Sequence, residues 1–186
     1  GCWGDGGAVF VDDTHLFDKI KSLRVHGQGE DRYSYERVGI NGRFDALQAA
    51  VIVEKLAIFA DEIKARQKVA KLYNEALGDI VKTPILIPNC TSVYAQYTIQ
   101  VRADARDKIK RDLQSRGVPS VVYYPKPVHL QKAYCQYPSG DMSHTMALCD
   151  SVLSLPMHPY LSEENQAKII DAVHESVAVS CEIEYE

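Results

Sequence analysis

The sequence predicts an α/β protein that passes into an α+β C-terminal part, and three observations carry that prediction. A Gly-rich turn, Gly4-Asp5-Gly6-Gly7, runs into the apolar stretch Ala8-Val9-Phe10-Val11 and then into residues at helical spacing. From Asp45 an apolar face recurs for about thirty residues, long for a globular helix. From Pro84 onward, strand-like and helix-like stretches alternate with short connections, the pattern of a small layer of helices on a sheet.

Each element has a local cause. Ala8 to Val11 reads as a strand, and Asp12-Asp13-Thr14 supplies N-cap chemistry for a helix carrying Leu16, Phe17, Ile20 and Leu23 inward. His26-Gly27 stops that helix, and a polar loop, residues 28–42, follows. The long helix presents Leu47, Ala50, Val51, Leu56 and Phe59, then Ile63, Val69, Leu72, Tyr73 and Leu77, before Gly78. A bend or break is expected near Phe59-Ala60-Asp61. Ile85-Leu86-Ile87 sits between prolines as a further strand candidate, and Val93, Tyr94, Tyr97, Ile99 and Val101 alternate as in a half-buried strand. Ala105 to Gly117 reads as an amphipathic helix with Ile109 and Leu113 inward, and Val118 to Tyr124 as a third strand ending at Pro125. A helix around Met146 to Val152, an extended Leu153 to Pro156, and a last helix capped by Ser162 with Glu163 and Glu164 in its first turn complete the chain.

The bulk numbers bound the function. At 186 residues the chain suffices for one domain, or a small domain and a piece of another. A hydrophobic content of 46% with 25% charged residues is that of a soluble globular protein. A net charge of −4 argues against a duplex-binding surface, which needs clustered Lys and Arg. The one basic cluster, Arg106 to Arg116, is broken by Asp107 and Asp112 and reads as a solvated helix face. The cysteines Cys2, Cys90, Cys135, Cys149 and Cys181 are scattered without a CxxC pair, so they read as free thiols of a reducing compartment. No apolar run approaches the ~18 residues that span a bilayer. The histidines show neither i,i+4 pairs nor a carboxylate cluster, so no metal site is expected, and no Gly-x-Ser-x-Gly elbow suggests a hydrolase.

Four segments carry candidate chemistry. Gly4-Asp5-Gly6-Gly7 lacks the preceding strand and the spacing of a dinucleotide cradle and stands as a turn. Gly39-Ile40-Asn41-Gly42-Arg43 leads to the long helix. It reads either as turn chemistry with Asp45 as cap, or as an anion site where Asn41, Arg43 and helix N-terminal amides converge. In Tyr123-Tyr124-Pro125-Lys126-Pro127-Val128-His129-Leu130-Gln131 two prolines force an extended turn, with His129 the candidate substrate-facing group. Lys126 has neither the desolvation nor the cationic neighbour that a Schiff-base lysine needs, so it reads as surface. Leu155-Pro156-Met157-His158-Pro159-Tyr160 is either an ordered connection or a cleft wall presenting His158 and Tyr160.

Gly1-Cys2-Trp3-Gly4-Asp5-Gly6-Gly7-Ala8 and the run from Val38 to Ala50, joined by Ser92 to Tyr97 and the two segments just quoted, resemble the pyridoxal-phosphate sugar-nucleotide aminotransferases of the DegT/StrS type. The resemblance runs from Gly1 to about Val173; the tail Ser180 to Glu186 has no counterpart. It implies a C-terminal fragment of the aspartate-aminotransferase-like, fold-type I architecture. Residues 1–44 would end the large cofactor-binding domain, 45–78 form the connecting helix, and 79–186 the small C-terminal domain. By the same resemblance the cofactor is pyridoxal 5'-phosphate, its lysine lies just upstream of Gly1, and no catalytic residue belongs to this chain, which alone is inactive. Asn41 would reach across a homodimer to the cofactor phosphate, Arg43 would meet anionic groups of the substrate, and His129, His158 and Tyr160 would surround it. The implied reaction moves an amino group from a donor such as glutamate to a nucleotide-linked keto-sugar, in the cytoplasm, for a surface polysaccharide such as lipopolysaccharide. The blocks look closest to enzymes acting on a 3-keto, UDP-linked uronic acid. Two alternatives stay open: a dehydratase relative in which His replaces the lysine, and a catalytically inactive dimerisation or substrate-binding segment. Without a covering sheet, Ala8 to Val11 is expected to be an exposed edge.

Overall fold

Asp13 opens the first helix as the sequence predicts: in a computed structural model its carboxylate accepts the Leu16 N–H at 2.9 Å, and α1 runs Thr14–Arg24. The structure describes residues 3–181, except the side chain of Cys181; Gly1, Cys2 and the rest of the tail lie outside the described residues. The chain divides into two compact units, Gly1–Ala60 and Asp61–Glu186.

In the first unit α1 stops where His26 and Gly27 take left-handed conformations, φ 60° and 77°. The chain then returns along its own path. Ile40 N–H donates to Leu23 O at 2.9 Å, His26 N–H to Ile40 O at 2.9 Å, and Gly42 N–H to Arg24 O at 2.8 Å. Gly27 and Gly39 make this crossing possible: a Cβ on Gly39 would lie 2.2 Å from the Gly27 nitrogen, and one on Gly27 only 1.8 Å from the Arg37 carbonyl oxygen. Ala8 to Val11 forms no strand, contrary to the sequence expectation, because a strand is defined by a partner and the described residues supply none. Phe10, within this stretch, is 93% exposed.

The helix α2, Ala46–Leu77, is 32 residues long and unbroken through Phe59-Ala60-Asp61, where a bend or break was expected. No Gly or Pro interrupts it, so nothing removes a rung of its ladder. At its start the Gln48 Oε1 accepts the Asp45 N–H at 3.4 Å, the returning half of a capping box. The Gln48 Nε2 donates to Asp5 O at 3.3 Å and Trp3 O at 3.5 Å, which ties the Gly-rich turn to the helix start. The expected apolar face is buried only in the second half of α2, at Val69, Ala70, Tyr73 and Leu77; Leu47 is 81% exposed.

The second unit holds the core. β1 (Tyr97–Gln100) pairs antiparallel with β2 (Val152–Leu155), Tyr97 opposite Leu155 and Gln100 opposite Val152. The helices α3 (Arg106–Ser115), α4 (Ser143–Ser151) and α5 (Glu163–Cys181) complete it, α5 capped by Ser162, whose hydroxyl accepts the Asn165 N–H. Tyr73, Tyr97, Leu77, Ile99, Ile109, Leu113, Leu153 and Val173 are fully buried. The Tyr73 and Tyr97 rings tilt together at 4.8 Å, and burial pushes both phenols well above their usual range. The expected third strand shrinks to one bridge, Val121 with Ser154, since Pro119 and Pro125 deprive the segment of donors on either side. Ile85-Leu86-Ile87 is likewise not a strand; it lies exposed between Pro84 and Pro88. Arg106 departs from the solvated face read for its cluster: it is buried, and its guanidinium donates to Cys149 O at 3.1 Å. No helix among the described residues is long and apolar enough to cross a membrane.

Candidate functional site

In the first unit the segment bearing Asn41 is laced to the end of α1, with Val25 and Asn41 forming an antiparallel bridge. The Arg43 Nε donates to the Asn41 Oδ1 at 2.9 Å. That bond fixes the amide: its oxygen is spent on the guanidinium, so its Nδ2 is left as an outward donor, beside the two terminal nitrogens of Arg43. Both residues are exposed. The pair is therefore a set of adjacent donors, one of them cationic, suited to a phosphate or carboxylate.

In the second unit His129 sits in a short 3-10 turn, Val128–Leu130, whose entry is fixed by the buried Pro127. Gln131 braces that turn, its Nε2 donating to Lys126 O at 3.2 Å and its N–H to Val128 O at 2.9 Å. His129 is half-buried and Lys126 exposed. Tyr123, Tyr124, Pro127 and Val128 face Leu148 and Cys149 of α4 across an apolar groove of about 510 Å³. Sequence reasoning placed helix and loop separately and did not anticipate that groove; the apolar Leu148-Cys149 pair on a short helix was its one signal.

His158 and Tyr160 share the loop that follows β2, and both are exposed. This loop is fastened along α2. The Tyr73 hydroxyl donates to Pro156 O at 3.0 Å, the Arg66 guanidinium to Met157 O at 3.5 Å, and the Tyr160 hydroxyl to Glu62 Oε1 at 2.5 Å. Tyr160 thus commits its hydroxyl to α2 and offers its ring outward. Glu62 and Arg66 were not singled out from the sequence, where an i,i+4 acid–base pair reads as ordinary helix surface. Cys90, Cys135 and Cys149 are free thiols, the last buried. No group of three metal-ligating side chains gathers among the described residues.

Solved structures identify the class. A DegT DnrJ EryC1 StrS aminotransferase from Brucella abortus superposes with a TM-score of 0.85 at 48% identity, over 89% of this chain and 44% of that one. The Streptomyces venezuelae protein DesV, crystallised with a ketimine intermediate, gives 0.82 at 31% identity, over 89% and 45%. The fold is thus part of the fold-type I architecture of these aminotransferases. The chain belongs to the DegT/DnrJ/EryC1/StrS aminotransferase family, which it matches over residues 2–174. Among curated relatives, the UDP-2-acetamido-2-deoxy-3-oxo-D-glucuronate aminotransferase of Pseudomonas aeruginosa is 46% identical over 166 residues, 87% of this chain and 44% of that protein. The dTDP-3-amino-3,4,6-trideoxy-alpha-D-glucose transaminase of Streptomyces venezuelae is 35% identical over 179 residues, 94% and 46%. The chain spans about half the length of the curated relatives it matches.

Proposed function

We propose that this chain contributes about half of a pyridoxal-phosphate-dependent aminotransferase that converts a nucleotide-linked keto-sugar to an amino sugar. The observation that carries the reading is the Asn41–Arg43 pair, an anion-directed donor set at the mouth of α2, in a chain 46% identical to an enzyme named for a UDP-linked 3-oxo-glucuronate. That likeness favours a UDP-linked 3-keto uronic acid as substrate, glutamate as donor, and a cytoplasmic homodimer that feeds a surface polysaccharide such as lipopolysaccharide. Residues 1–44 would close the large domain, 45–78 connect, and 79–186 form the small domain.

The donors present fit the cofactor's phosphate, since an amide N–H and a guanidinium are the groups that bind such an oxyanion. Bound pyridoxal phosphate supplies the electron sink of the reaction; the protein supplies position and field. Asn41, its amide oriented by the Arg43 Nε at 2.9 Å, would hold the phosphate of the partner subunit's cofactor through its Nδ2. Arg43 also directs its terminal nitrogens at an anionic group of the sugar nucleotide. His129, His158 and the ring of Tyr160 bound the sugar.

Arg43→Ala tests the reading. Nucleotide-sugar affinity in the assembled enzyme should fall by ~1.5–3 kcal/mol, the worth of a charged hydrogen bond. Unchanged affinity by isothermal titration would reduce Arg43 to a partner of Asn41 alone.

A further inference from the structure

The hydrogen bonds between α2 and the two turns flanking the β1–β2 ribbon converge on one side chain. β1 and β2 are paired from Tyr97 and Leu155 inward, so at this end the ladder stops and the two chains separate. Arg66 spans the gap: its Nη1 donates to Tyr94 O at 2.9 Å on one side and reaches Met157 O at 3.5 Å on the other. Tyr94 is held in an uncommon conformation, φ 42°, for a bulky residue. Its N–H is taken by the Ser92 hydroxyl at 3.1 Å, its C=O by Arg66, and its ring is buried against Tyr97. Such backbone persists only where the surroundings over-determine it, and it concentrates at functional sites.

Glu62, Arg66 and Tyr73 stand at i, i+4 and i+11, one stripe of α2. They meet Tyr160, Met157 and Pro156 in reverse order, so the stripe grips the loop on both sides of His158. Within the loop one turn bond, Leu161 N–H to His158 O at 3.3 Å, completes the restraint. His158 itself makes no claim on α2, and its imidazole is exposed. The backbone beneath it is fixed while the ring stays available.

We propose that Arg66, with Glu62 beside it, is a positioning residue: it locks the 156–160 loop so that His158 is presented to the sugar nucleotide in one orientation. The role in binding rests on the function proposed above; the locking does not. Arg66 acts through His158 and touches no substrate. Tyr73 is the fixed pillar, since its ring is core, and the two polar residues are the adjustable grip.

The experiment separates the two layers. In the full chain, amide hydrogen exchange at Met157, His158 and Leu161, and the His158 ring cross-peak, are recorded for Arg66→Gln, Arg66→Lys, Glu62→Ala and Glu62→Gln. Loss of the grip in Arg66→Gln or Glu62→Ala should speed loop exchange about tenfold or more and move the ring signal toward that of a free histidine. Amides of α3 and α5 should keep their protection. Arg66→Lys, which keeps a cation within reach of the carbonyls, and Glu62→Gln, which keeps an acceptor, should recover most of the effect. If Arg66→Gln costs the whole fold, Glu62→Ala read against Glu62→Gln still decides the matter. Loop protection and ring signal unchanged in Glu62→Ala, and in Arg66→Gln where it folds, would overturn the proposal. In the assembled aminotransferase, the grip variants should raise KM for the nucleotide sugar severalfold with kcat nearly constant. His158→Ala reads the parent assignment by itself. No effect of His158→Ala on KM would remove the substrate role of His158 and with it the positioning role. A raised KM in His158→Ala, with none in the grip variants, would overturn positioning while leaving the function standing.

Discussion

Residues 3–60 and residues 61–181 are comparably helical and differ in burial. The second unit encloses eight large side chains completely, from Tyr73 to Val173. In the first unit the only buried residue among those described is Gly27, and Phe10, Val38 and Leu47 stand open to solvent. The same helix shows the contrast within itself, since α2 fully buries no residue through Phe59 and is packed into the core from Val69. Capping and periodicity suffice to write a helix, but the stability of a domain comes from the apolar area it removes from water. The second unit is a small domain in that sense. The first is a scaffold with an apolar face, including a hollow of about 500 Å³ lined by Val9, Phe17, Ile20 and Ile40.

Cutting the chain after Ala60 gives the largest expected effect. Residues 61–186 should retain helical circular dichroism and melt in one cooperative transition, while residues 1–60 should show neither, because an isolated α1 of 11 residues is below the length at which helices persist in water. Cooperative melting of the first piece would break the contrast. Next, Leu113→Ala removes a fully buried side chain and should cost about 2–5 kcal/mol in urea unfolding, against under ~0.5 kcal/mol for Leu47→Ala. Equal costs would mean that α2 is covered at its start in solution. Cap deletions sharpen the point: Ser162→Ala should lower stability by ~1 kcal/mol, whereas Asp13→Ala, the same chemistry, should leave the denaturation midpoint where it was.

The smallest effect concerns acid. The Asp112 carboxylate accepts the Ser176 hydroxyl at 2.7 Å and the Arg116 guanidinium at 2.8 Å, and these bonds, in that order, hold it below the usual carboxylate range. A depressed value in the folded state means stability that is present above the ordinary carboxylate value, about 3.9, and is lost as pH falls through the depressed one. The site faces solvent, so the loss is minor. Ser176→Ala should flatten the urea midpoint's fall below about pH 4, and an unaltered fall would assign it to other carboxylates.

Where local chemistry was decisive, the sequence was legible. Asp13, Ser162 and the Ile109–Leu113 spacing located α1, α5 and α3 almost to the residue. The Asn41–Arg43 motif was visible because both members lie in one short loop. What escaped depended on partners far along the chain. Ala8 to Val11 has strand composition and nothing to pair with; residues 118–124 are β-rich, yet their prolines limit pairing to Val121. Arg106 looked solvated until the Cys149 carbonyl, 43 positions away, was brought beneath it. Arg66 donates to backbone carbonyls 28 and 91 positions distant, and Glu62 accepts from the Tyr160 hydroxyl 98 positions away; no local pattern encodes such partners.

The crossing of Gly27 with Gly39 has a consequence for how this sequence can vary. Every replacement of either glycine adds at least one carbon where a backbone already passes, so no change of residue at either position is harmless. A saturation library scored for folding or binding should therefore be nearly blank at these two columns, flanked by tolerant ones across the polar loop between them. Asn41 inherits its place from that crossing, so over long divergence the two glycines stay while the exposed positions between them drift.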